Sequence, residues 1–171
     1  PVGEFTMGSE SGELVEKPVH KVNLSAYYID QYEVTNSAYN FCVDAGVCQP
    51  PVFTSSVTRS IYYGEAQFDN YPVIYVDWNM SKAYCEWRGA RLPTEAEWEK
   101  ASRGTDGRTY PWGESTDDST LANHNGNVGD TTAVGSYAGG QSPYRVYDMA
   151  GNVWEWTADW FDVYPGGGPS S

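Results

Sequence analysis

Basic residues are scarce in this sequence: ten Lys and Arg stand against twenty-three Asp and Glu, a formal net charge of −13. So few cations scattered among acids cannot line a track along phosphates, which excludes a nucleic-acid binder. Cations are the better candidate partners, unless the acids simply keep the surface soluble. No apolar stretch is long enough to cross a bilayer, and no basic segment followed by an apolar one reads as a secretion signal. The sequence opens on Pro1 rather than Met, which points to a processed or trimmed chain. Linkers, internal repeats and low-complexity tracts are also missing, so residues 1–171 are expected to form a single domain.

Cysteine is limited to three residues. Cys42 and Cys48 lie close together in Cys42-Val-Asp-Ala-Gly-Val-Cys48, where Gly46 lets the chain turn back, and a short-loop disulfide is expected there. If formed, it implies an oxidising compartment and an extracytoplasmic or secreted protein. Cys85 is left over and reads as a small buried hydrophobe. The only histidines are His20 and His124. His20 has no cysteine or histidine at ligand spacing and is expected to be structural.

Aromatic residues are plentiful, with 14 Tyr and 7 Trp. Large rings must supply much of the core, which suits a loop-rich fold because rings bury area with few rotors. Alternation predicts strands over 4–7, 20–24 and 27–30. Thr35 caps a short helix over 36–45 that Gly46 ends. Residues 49–72 have no sustained period and read as an ordered loop, followed by an apolar strand over 72–76. Asp77 caps a second helix whose Met80, Ala83, Tyr84 and Trp87 form a core stripe, ended by Gly89. Thr94 and Glu97 make a capping box that opens a third helix. Glu95 and Glu97 could be an acid–base pair, but two carboxylates there also favour the positive end of the helix dipole, the better reading. Beyond Gly104 the chain is turns, and some sixty residues of this kind need something other than a helix to hold them, since loops longer than ~15 residues are uncommon.

Several segments together resemble the formylglycine-generating enzyme (sulfatase-modifying factor) family. They are Phe5-Thr-Met-Gly-Ser9, Glu16-Lys-Pro-Val-His20, Tyr32-Glu-Val-Thr-Asn36, Ala83-Tyr-Cys-Glu-Trp87, Arg91-Leu-Pro-Thr-Glu-Ala-Glu-Trp98, Tyr110-Pro-Trp-Gly113 and Tyr147-Asp-Met-Ala-Gly-Asn-Val-Trp-Glu-Trp-Thr157. The resemblance implies an α+β fold, a variant of the C-type-lectin fold with a small antiparallel sheet, few short helices and much irregular loop. It also implies two calcium ions, which suit loops because calcium accepts several oxygen ligands, carbonyls included. The second site matches the side chains of Asp148 and Glu155 and the carbonyls of Gly151 and Val153. The first maps less directly onto Asn123, the His124 carbonyl, Asp130 and the Thr132 carbonyl, with Asn125 and Asn127 as competing ligands.

The family's oxidases convert a sulfatase cysteine to formylglycine with copper held by two cysteines close to the domain's C-terminus. Those cysteines have no counterpart here, and copper(I) selects soft thiolates. Copper is therefore expected only if such a pair lies outside these residues. In relatives, the region matching 159–171 leads to a further Gly-Gly-Ser-Trp strand, so the resemblance implies a C-terminally incomplete domain that leaves Trp154, Trp156 and Trp160 uncovered. Some relatives resemble iron-dependent sulfoxide synthases, and two histidines do not make an iron-binding cluster. The reading is a calcium-stabilised, non-catalytic extracytoplasmic module that binds a protein or glycan surface, self-assembles, or is completed by another segment or subunit. The alternative is the oxidase seen without its catalytic cysteines. Tyr62, Tyr63 and Tyr137 are candidates for a ligand-facing surface, though loop tyrosines of this kind are more often structural.

Overall fold

The computed structural model describes residues 2–114 and 118–167. Strands β1 (Gly3–Met7) and β2 (His20–Leu24) pair antiparallel with Phe5 opposite Val22. Helices α1 (Asn36–Asp44), α2 (Trp78–Trp87) and α3 (Glu95–Arg103) follow, with 3₁₀ turns at Leu14–Glu16, Ala66–Phe68 and Ala138–Gly140. The architecture is α+β, and most of the described backbone is irregular, as the composition implies.

Each helix starts where a side chain satisfies an amide that the helix cannot. Thr35 Oγ1 accepts from the Ala38 amide at 3.1 Å, and Asp77 Oδ1 accepts from the Met80 amide at 2.8 Å. Thr94 and Glu97 form the expected capping box: Thr94 Oγ1 accepts from the Glu97 amide at 3.2 Å, and Glu97 Oε2 accepts from the Thr94 amide at 2.9 Å. Arg91 grips both oxygens of Glu97 at 2.7 Å, and Glu95 accepts from the Tyr164 hydroxyl at 2.8 Å. Both carboxylates serve the start of α3 and its surroundings.

α3 is pinned to the sheet. Lys100 is fully buried, lies 5.6 Å from the Phe5 ring centre and donates to the Gly3 carbonyl at 2.6 Å. A buried ammonium requires such partners. Among the described residues the apolar interior is divided into three small clusters: Tyr39, Cys42, Cys48 and Tyr84; Phe5, Met7 and Tyr164; and Ala101, Val146 and Met149. The first is closed by a Cys42–Cys48 disulfide, as the spacing predicts. His20 is held structurally, its Nδ1 at 2.9 Å from the Pro18 carbonyl and its ring 4.9 Å from that of Tyr164.

Three local expectations change. Residues 27–30 join no sheet, because side chains rather than a ladder anchor them: Tyr27 donates its hydroxyl to the Glu97 carbonyl at 2.7 Å, and Ile29 packs on the Ala101 cluster. Residues 72–76 form no ladder: they make a bridge between Pro72 and Thr35, and their backbone bonds are scattered, from the Val73 amide to the Val34 carbonyl at 2.8 Å and from the Val52 amide to the Tyr75 carbonyl at 3.0 Å. Tyr75, at φ 59°, then turns the chain out of the extended region. The α2 stripe is only partly core: Tyr84 is buried, whereas Trp87 keeps 39% of its surface. Tyr62 is completely buried and donates to the Pro72 carbonyl at 2.6 Å, the structural role expected of such a loop tyrosine.

Candidate metal centre

The segment that carries the second set of expected ligands is shaped by left-handed backbone. Asp148 (φ 55°), Gly151 (φ 104°) and Asn152 (φ 61°) all lie at positive φ, as does Arg145 (φ 63°) just before them. Glycine is required at 151 for space as well as conformation, since a Cβ there would sit 2.4 Å from the Asn123 carbonyl oxygen. That oxygen accepts from the Asn152 amide at 2.8 Å, so the two loops carrying the expected ligands are joined backbone to backbone.

Three acids meet behind this turn. Asp148 Oδ2 accepts from the Gly135 amide at 2.7 Å, and Glu155 accepts a short hydrogen bond from the Trp98 indole of α3. The third, Glu33, is buried between β2 and α1 in sequence and accepts from Asn152 Nδ2 at 2.6 Å and the Val153 amide at 3.3 Å. Burial, and then the charges of Glu155 and Asp148, push the Glu33 carboxyl up to about 9. Burial also raises Asp148, against the Gly135 amide. Glu155 is raised by crowding, with Trp98 opposing and Asp148 adding to the effect. Its carboxylate lines a cleft wall, so it is surrounded by protein atoms while keeping surface open to solvent. Among the described residues, no ion pair reaches any of the three acids.

Asp148, Gly151, Val153 and Glu155 therefore share one turn and one cleft, and Glu33 joins them from 120 residues away. No three acidic, histidine or cysteine side chains among the described residues converge tightly enough to hold an ion by themselves, so carbonyls would have to complete any shell. Hard oxygen donors with surplus negative charge and no internal counter-ion fit calcium.

The first set is not arranged this way. Asp130 turns its carboxylate away from Asn123 and Thr132 toward residues 56–59. There its Oδ2 accepts from Ser56 Oγ at 2.7 Å and from the Thr58 amide and hydroxyl at 2.8 and 2.6 Å. Its Oδ1 accepts from the Thr131 amide at 2.8 Å and pairs with Arg59 Nη1 at 3.0 Å. Burial pushes this carboxyl up, but donors from Thr58, Ser56 and the Thr58 and Thr131 amides outweigh it and hold the group at about 2. The His124 carbonyl accepts from the Asn127 amide at 3.0 Å, and the Thr132 carbonyl accepts from Asn152 Nδ2 at 3.3 Å. Asn123 Nδ2 donates to the Asp130 carbonyl at 2.8 Å and to Asn152 Oδ1 at 3.2 Å. These four residues are neighbours, but their key carboxylate is already satisfied and does not fit a metal.

Sequence reasoning missed Glu33, Arg59 and Asn152. Asn152 is the hub: its Oδ1 accepts from the Thr132 amide at 2.9 Å while its Nδ2 holds Glu33. Glu33 stands in the Tyr32-Glu-Val-Thr-Asn36 segment, where nothing local signals a partner so far along the chain. The turn also separates two clefts, of about 570 and about 900 Å³, both lined by residues 153–156. Trp154 and Trp160 stand almost wholly exposed at this edge, and Trp156 half so.

Comparison with known proteins bears on the family and the fold. The family model described as "Sulfatase-modifying factor enzyme 1-like domain" matches residues 1–170. The chain is similar to a Chlamydia pneumoniae protein named serine/threonine-protein kinase pkn1, 38% identical over 170 residues, covering 93% of this chain but 27% of the relative. It is also similar to the formylglycine-generating enzyme of Thermomonospora curvata, 33% identical over 214 residues and covering 95% of this chain and 71% of the enzyme. Among solved structures, PvdO from Pseudomonas aeruginosa superimposes with a TM-score of 0.75 at 28% identity, covering 99% of this chain and 72% of that one.

Proposed function

This chain belongs to the sulfatase-modifying factor enzyme 1-like domain family, and from that premise we propose that it is a calcium-stabilised, non-catalytic module presenting a binding or assembly surface outside the cytoplasm. One observation carries the calcium part: buried Glu33, part-buried Asp148 and cleft-lining Glu155 gather about one turn, and among the described residues no ion pair balances them. The side chains of Asp148 and Glu155 and the carbonyls of Gly151 and Val153 would hold the ion, with Glu33 bracing the turn from behind through Asn152 and the Val153 amide. Bound calcium would supply the positive charge this turn lacks and cross-link loops that have neither ladder nor large core. The lectin-like scaffold is part of the same proposal.

The Cys42–Cys48 bridge supports an oxidising compartment. It also removes two of the three thiols from any copper chemistry, and Cys85 is a single, partly buried thiol that burial pushes up. The similarity to formylglycine-generating enzymes favours the second reading, an oxidase whose thiolate pair is supplied by residues other than these. Assay of the full gene product on a cysteine-containing sulfatase peptide with copper separates the two: formylglycine formation overturns the non-catalytic reading.

The calcium reading is tested by melting. EGTA is expected to lower Tm by several degrees, because an ion bound only by the native state adds linkage stabilisation. Glu155→Gln is expected to abolish most of that difference. Identical melting curves with and without calcium overturn the reading.

A further inference from the structure

We infer that the cation at the first expected calcium site is built into the chain: the guanidinium of Arg59 occupies the role there, and Asp130 binds no metal ion. Asp130 is the acid that would anchor the ion, and its side chain retains only 3% of its surface. Five donors reach its two oxygens, whereas a carboxylate offers about four lone-pair positions. A divalent ion would have to displace several of them and sit beside a fixed positive charge.

Arg59 is itself held as a structural cation. Its carbon Cζ lies 4.9 to 5.6 Å from the ring centres of Phe68, Tyr71 and Tyr62, which present their electron-rich faces to it. Its Nη1 donates to Thr131 Oγ1 at 3.1 Å and its Nη2 to the Thr131 carbonyl at 2.9 Å. One guanidinium thus ties residues 59–71 to the turn at 130–131, the cross-linking task that calcium performs between loops. Arginine suits it because its planar fork satisfies a carboxylate, a hydroxyl and a carbonyl together.

The expected ion count of one rests on the calcium reading of Asp148 and Glu155, and the experiment separates the two claims. Protein stripped with EGTA, reloaded and dialysed is counted for calcium by mass spectrometry, alongside Asp130→Asn and Glu155→Gln. One ion per chain is expected, retained by Asp130→Asn and lost by Glu155→Gln. Asp130→Asn should also lower Tm by at least about 6 °C, equally with calcium and with EGTA, since it breaks a buried pair. Two ions, one of them lost in Asp130→Asn, overturn the inference and leave the calcium reading of the other site standing. No ion at all sinks that other reading, while the calcium-independent loss in Asp130→Asn still upholds Arg59. Should Asp130→Asn fail to fold, the count on the unaltered chain decides between one ion and two, and Thr58→Ala supplies the calcium-independent loss in Tm.

Discussion

Glu97 shows how a single residue joins sequence signal to stability. Arg91, and then the Thr94 amide and hydroxyl, hold its carboxyl at about 2 against burial, from an ordinary value of 4.5. A carboxyl depressed on folding stabilises above its unfolded pKa, and that contribution is lost as pH falls through the folded value. Stability is therefore expected to drop between about pH 4.5 and 2, and Glu97→Gln should flatten Tm against pH in that window. A slope as steep as in the unaltered chain would show that other acids carry it. Gly151 makes a steric case at the same scale. Gly151→Ala forces a Cβ against the Asn123 carbonyl at a φ that disfavours side chains, so a loss of more than about 2 kcal/mol is expected in urea unfolding. Glycine's two requirements here were visible only as a motif letter, because the Asn123 carbonyl is brought to it by folding.

Among elements, the helices were the most legible. Thr35, Asp77 and Thr94 each make the cap their sequence positions predict, because capping is local and needs no distant partner. The extended segments were less so. Residues 27–30 and 72–76 have strand-like composition, but a strand requires a neighbour, and Tyr27 and Tyr75 are committed to a side-chain anchor and a left-handed turn instead. α1 carries an element-scale prediction. Its Cys42 is bridged to Cys48 just beyond its C-terminal end, inside the cluster of Tyr39 and Tyr84. The double change Cys42→Ser, Cys48→Ser should cost about 2–4 kcal/mol, read as a lower urea midpoint. An unchanged midpoint in the double variant, matching that of the oxidised chain, would show that the cluster holds this end without the bridge.

For the whole molecule, small separate clusters and many loops mean that stability depends on cross-links: a buried lysine, a disulfide, a caged guanidinium and, as proposed, an ion. The aromatic edge is the other large-scale feature. Trp154 is 100% exposed and Trp160 93% exposed, so acrylamide should quench a substantial fraction of tryptophan fluorescence in the isolated chain. Weak quenching at micromolar concentration would mean that self-association covers the edge. The sequence by itself determined the α+β class, the helix starts and the disulfide, since caps and a short-loop bridge depend on neighbours within a few residues. Only the tertiary structure decided which acids lack a counter-ion. Glu33 reaches the turn across 120 residues and Asp130 finds Arg59 across some seventy, and charge balance is a property of distance in space rather than along the chain.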